Sequence, residues 1–249
     1  MSPRLILLAS LFAVVPLAAC KPAGEDPRPP DARDFPRAYR PVSSVSGDSF
    51  SNEQARDDRR EAQTVMDLAK IEPGMTVADI GSGEGYYTVR LAERVGKKGR
   101  VLAEDIDRDA LARLGSRVEA EHLSNVSIRL GTEDNPGLPE HSFDRIFLVH
   151  MYHEVSEPYA FLWHLRPGMK PGGAVIVVEA DRPADQHGIP PKQLFCEFDR
   201  VGFRLTEFVR KPELAGYYAR FEAVGERPEP HAIEPCSKPG EGSDTAAAS

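Results

Sequence analysis

The 249-residue chain is short of positive charge: 31 Lys and Arg stand against 39 Asp and Glu, a formal net charge of -8. No stretch forms a basic stripe able to neutralise a phosphate backbone, which excludes a nucleic-acid partner. Long apolar runs are missing too. The run Leu5 to Ala19 falls short of the roughly 20 residues that span a bilayer. Internal repeats are absent, so the chain is not a solenoid. Cysteine occurs only three times. The length suits one sizeable α/β domain and not two.

What is present starts at the N-terminus. Arg4, the apolar run and the ending "LAAC" (Leu17 to Cys20) read as an export signal over residues 1–19. The ending resembles the lipobox of bacterial lipoproteins, which implies a lipid on Cys20 and a membrane-anchored protein on the periplasmic side of the cell envelope. Residues 20–50 are rich in Pro, Arg and Asp and read as a disordered tether. Residues 51–225 hold the domain, and residues 226–249 read as a disordered tail. Cys196 and Cys236 remain in the body, and an oxidising compartment would permit a bridge. A bridge and two free thiols both stay open at this point, because the sequence gives no distance between them.

Within the domain, Ser51 and Gln54 form a capping-box pattern ahead of a helix over residues 52–70. Strands and helices then alternate: "TVADIG", a helix from Tyr86, "RVLAEDI", a helix from Asp109, "VSIRLG", "FDRIFLVH", a helix capped by Ser156, and "AVIVVEA". This alternation predicts a parallel sheet covered on both faces. Two late strands, "GFRLTEFV" and "GYYARFEAV", are separated only by "RKPELA". That is too short for a parallel crossover, so the pair is antiparallel.

The first strand runs into "GSGEG" (Gly81 to Gly85). Glycine tolerates positive φ and lets a ligand touch the backbone. In an open parallel sheet this turn lies where ligands bind. Asp105 ends the second strand, where an acid typically holds ribose hydroxyls. A dinucleotide fingerprint would put its third glycine at position 86, and this chain has Tyr86 there. Asp79 precedes the turn, and "PGG" precedes the fifth strand.

This set of motifs resembles the class I S-adenosylmethionine-dependent methyltransferases, particularly the small bacterial type 11 kind, over about residues 65–224. The resemblance implies a Rossmann-like, doubly wound sheet of seven strands in the order 3-2-1-4-5-7-6, with strand seven antiparallel. It implies S-adenosylmethionine as cofactor. Gly81, Ser82, Gly83, Gly85 and Tyr86 would approach its methionyl part, and Asp79 its ammonium. Asp105 and Ile106 would hold the ribose, and Thr132 and Glu133 would flank the adenine. His150 would face the methyl, with His150, Tyr152 and His153 as candidate catalytic or substrate-binding groups. The implied activity is methyl transfer to a small-molecule or lipid-like acceptor. A ligand-binding lipoprotein on the same fold, without turnover, is the alternative.

Three more sets of residues bear on the site. Asp181, Arg182 and His187 follow the fifth strand and are candidates for substrate contact. Arg56, Arg59 and Arg60 lie on the first helix and read as surface charge. His150, His153 and Glu154, with His187, are the closest thing to a metal set. Their loop spacing is weak as a motif, so no metal is assigned.

Overall fold

The computed structural model describes residues 26–44 and 52–236. The segment expected to be an export signal and Ser51 lie outside these residues. Among the described residues, no helix is long and apolar enough to cross a membrane.

Seven strands form one sheet: β1 Thr76–Ile80, β2 Arg100–Asp105, β3 Val126–Leu130, β4 Phe143–Val149, β5 Met169–Glu179, β6 Phe203–Lys211 and β7 Gly216–Ala223. Their order is β3-β2-β1-β4-β5-β7-β6, as the resemblance implies. β7 pairs antiparallel with both β5 and β6. Central strands are apolar on both faces because helices cover both. Ile146, Leu148, Val175 and Val177 pack into one core layer. Phe147, Ile176 and Val178 alternate into the other.

Among the described residues six α-helices flank the sheet: α1 Glu53–Asp58, α2 Glu61–Leu68, α3 Tyr86–Val95, α4 Arg108–Ala120, α5 Pro158–Leu165 and α6 Pro191–Arg200. The single helix expected over residues 52–70 is two. Arg60 takes a left-handed φ of 55° and breaks it. α1 is then held elsewhere: Asp57 accepts from Tyr86 and pairs with Arg90, both on α3. Its N-cap is Asn52, whose Oδ1 accepts from Ala55 N at 2.9 Å. Ser156 does not cap α5. Glu157 takes that place and Pro158 opens the helix, while the Ser156 hydroxyl donates to Glu133.

Both terminal expectations need correction. Residues 26–44, read as part of a disordered tether, pack on the domain. Ala32 and Phe35 are buried, and Phe35 meets Trp163 edge-on at 5.5 Å. Arg28 pairs with Glu157, and Arg40 pairs with Glu197 at 2.8 Å. Composition missed this because two arginines and one aromatic ring suffice when the domain offers carboxylates and a cleft. At the other end, Ile233 and Cys236 are buried, and Cys236 is disulfide-bonded to Cys196 of α6. Residues 226–236 are therefore part of the folded unit.

Candidate functional site

A cavity of about 650 Å³ opens beyond the C-terminal ends of β1, β2 and β4. The β1–α3 turn forms its floor. Gly81, Gly83 and Gly85 all have positive φ. A Cβ on Gly85 would strike Leu114 of α4, and one on Gly81 would strike Met151 after β4. Nothing lies within 4 Å of the Cβ direction at Gly83. Two of the glycines are thus required by packing as well as by φ. Gly83 faces the cavity and is required by φ alone.

Asp105 lines the cavity and is fixed by backbone. Gly83 N donates to its Oδ2 at 2.8 Å, and Asp107 N donates to its Oδ1 at 2.9 Å. Ser82, Ile106, Thr132, Glu133, Tyr86 and His150 also line it. Ser82 Oγ is buried with no hydrogen-bond partner among the described residues. An orphaned hydroxyl in a cavity wall is what a bound polar ligand would satisfy. Tyr86 is sandwiched between the guanidiniums of Arg56 and Arg90 at 3.7 and 3.9 Å. Burial, then its bond to Asp57, pushes its hydroxyl up to about 12.

Asp79 does not reach the cavity surface. It is buried and accepts from Thr88 of α3 at 2.6 Å. Burial raises it to about 6. The register of the sheet sets Glu104 beside Ile80, and Glu104 does line the cavity. It is 2% exposed, and burial followed by the charge of Asp105 pushes it up to about 8. Glu104 was missed in the sequence, although it sits directly before Asp105 and after the buried Ala103 in β2.

His150 is the first residue past β4. Its N–H donates to Val178 O at 2.9 Å, and its φ is 55°. Its Nε2 lies 3.4 Å from Glu61 Oε1, a buried carboxylate on α2. Glu61 also accepts from Arg56 and from the Tyr87 hydroxyl. Burial would raise Glu61, but His150 and Arg56 outweigh it and hold the group down to about 2. No local motif announces Glu61, because α2 and β4 meet only through tertiary folding.

The expectation that Tyr152 and His153 face the methyl is corrected. Both are 0% exposed, and neither lines the cavity. The short turn after β4 directs them into the core. Tyr152 donates to Glu197 Oε2, and His153 Nδ1 lies against Glu179. Glu154 lines the cavity in their stead, and burial raises it to about 7. Arg56, read as surface charge, also lines the cavity, whereas Arg59, Arg60, Asp181 and Arg182 do not.

The charge of the wall decides between ligands. Glu53, Glu84, Glu104, Asp105, Asp107, Glu133 and Glu154 face Arg56 and Arg113. Even with Glu104 keeping its proton at neutral pH and Glu154 partly so, five further carboxyls against two guanidiniums leave an acidic wall that disfavours a pyrophosphate and suits a cationic ligand.

Fold and cavity together define a Rossmann-like methyltransferase architecture. Residues 77–173 match the model of a family described as "Methyltransferase domain". A demethylmenaquinone methyltransferase of Bacillus cereus is 29% identical over 125 residues, 50% of this chain and 52% of that protein. The ubiquinone/menaquinone biosynthesis C-methyltransferase UbiE of a Shewanella species is 30% identical over 148 residues, 59% of this chain and 58% of its own. The chain thus spans about half the length of the curated relatives it matches. Among solved structures, a SAM-dependent methyltransferase from Aquifex aeolicus superposes with a TM-score of 0.61 at 24% identity, covering 71% of this chain and 100% of that one. The [4+2]-cyclase SpnF superposes at 0.59 with 17% identity, over 74% and 90%. The domain match and this fold imply S-adenosylmethionine as cofactor.

Proposed function

We propose that the protein is an S-adenosylmethionine-dependent methyltransferase acting on a small, lipid-like acceptor of the quinone kind. The carrying observation is the acidic, glycine-floored cavity at the strand ends, with Asp105 clamped by backbone and His150 at its wall. The relatives named for demethylmenaquinone and for ubiquinone and menaquinone biosynthesis support the acceptor class.

When bound, S-adenosylmethionine supplies an electrophilic methyl on a cationic sulfonium. Asp105 would hold the ribose hydroxyls, Ser82 Oγ a polar group of the methionyl part, and the surrounding carboxyls the positive charge. Methylation at a ring carbon of the acceptor would leave that carbon's proton to be taken by a base of the chain. His150 is placed to take that proton, with Glu61 orienting its imidazole. Most of the remaining rate comes from holding the reactants in line.

The lipobox supports a place for the protein at the membrane, where a lipid-like acceptor resides. The Cys196–Cys236 disulfide suits the same oxidising side. Cys20→Ser should release the protein from the membrane fraction; unchanged fractionation refutes the anchor. Calorimetry with S-adenosylmethionine and with NAD tests the cofactor, and mass analysis of a demethylated quinone acceptor tests the reaction. Equal binding of NAD would refute the first, and cofactor binding without turnover on any acceptor would favour a ligand-binding protein.

A further inference from the structure

Next to the cavity, on its β5 side, side chains from two separate loops converge. His153 and Glu154 follow β4, and His187 ends the short turn after β5. One imidazole nitrogen from each histidine and one carboxylate oxygen from Glu154 lie within 4.8 Å of one another. His153 Nε2 is 3.9 Å from Glu154 Oε1. The two rings meet edge-on with centroids 5.6 Å apart. Two imidazoles on one tetrahedral zinc, each bonded at about 2.0–2.1 Å, have centroids roughly 5 Å apart. The rings therefore stand close to the geometry of a shared ion, with a Glu154 carboxylate oxygen in the same group of atoms.

The groups behind this trio are those of a metal centre. His153 Nδ1 lies 3.0 and 2.9 Å from the two oxygens of Glu179, which is fully buried. A carboxylate behind a histidine fixes its tautomer, leaves Nε2 as the ligand atom and raises its basicity. His187 is fixed through its backbone. Its N–H donates to Ala184 O and to Ser43 Oγ, and its carbonyl accepts from Arg182. The cationic groups facing the cluster do not neutralise it: Arg40 is committed to Glu197 and to the carbonyls of Tyr152, His153 and Val155. Glu179 and Asp105 both lie close enough to Glu154 to act on it electrostatically, so the cluster is surrounded by carboxyls.

We propose that His153, Glu154 and His187 bind one divalent first-row cation, with zinc the best fit, and that Glu179 is the carboxylate behind His153. Two imidazoles and a carboxylate match the donor preference of zinc, and three protein ligands leave a fourth position for water or an acceptor oxygen. Glu154 lines the cavity, so the ion sits in a wall that the cavity shares. Of the four residues that the sequence places near one another, His150 stands apart, turned to Glu61. This site stands independently of methyl transfer.

The test uses the mature chain without a histidine tag, stripped with chelator and titrated with zinc chloride by calorimetry, with metal content measured after dialysis. About one zinc per chain is expected from a three-ligand site. His187→Ala, on a half-buried loop, should weaken binding at least tenfold, and Glu179→Gln by about 10–100-fold. His141→Ala removes an exposed histidine elsewhere and should change nothing. Absence of saturable zinc uptake overturns the site, and so does uptake by His187→Ala equal to wild type. Should Glu179→Gln fail to fold, the His187 and His141 pair decides alone.

Discussion

Replacing Glu104 by glutamine keeps the side chain's shape and the oxygen that accepts the Gly81 N–H, but removes its titration. In the folded protein, burial and then the charge of Asp105 hold this carboxyl near 8, against an ordinary value of 4.5. The folded value is raised, so above pH 4.5 the unfolded chain has released a proton that the folded chain keeps. Stability from this group is therefore whole below 4.5 and drains as pH climbs to about 8. At about 1.4 kcal/mol per pH unit, that window caps the loss near 5 kcal/mol. Relaxation and water entry bring the working figure to about 2–4 kcal/mol.

Urea unfolding followed by circular dichroism, at pH about 5, 7 and 9, measures it. Wild type and Glu104→Gln should be nearly equal at the lowest pH, with the variant ahead by that margin at the highest. Asp79 and Glu154 also titrate in this range, but they are present in both proteins and largely cancel in the difference. A gap between the two proteins that is the same at every pH would refute the reasoning. The cavity makes a linked prediction. A cation bound there pulls the proton off Glu104, so S-adenosylmethionine should bind wild type more tightly as pH rises toward 8, and bind the variant with a flatter profile.

Three further outcomes are expected. Asp105→Ala removes two charged hydrogen bonds to hydroxyls, each worth about 1.5–3 kcal/mol, so calorimetry should show at least a tenfold loss of cofactor affinity; unchanged binding would remove Asp105 from the site. His150→Ala should lower turnover by about 10²–10⁴ while leaving cofactor affinity nearly intact, with Glu61→Gln giving a smaller loss in the same direction; wild-type rates in both would leave positioning as the whole of catalysis. Cys236→Ser opens a loop closed over 40 residues and should cost about 4 kcal/mol in denaturant unfolding, on a chain-entropy estimate; free thiols at both positions in non-reduced protein would exclude the bridge.

Much of the fold follows from local signals. Apolar runs of strand length, each followed by a helix with its apolar residues on one face, permit little besides a doubly wound sheet. So short a connection between the last two strands, residues 212–215 in the structure, forces antiparallel pairing whatever the rest of the chain does. The glycine turn and Asp105 were legible for the same reason. Positive φ and a strand-end acid are requirements of backbone and register, and both are local.

What tertiary structure alone decided are the pairings across distance. Glu61 comes from α2 to His150, and Glu179 from β5 to His153. Arg28, Phe35 and Arg40 tie an unpromising segment to the domain. Near β4 the sequence places three candidates, His150, Tyr152 and His153, within four residues. A left-handed residue and a short turn then send His150 to the cavity and the other two into the core. A side chain's direction after a strand depends on a few backbone angles set by the packing of neighbouring strands, and residue identity does not carry that information.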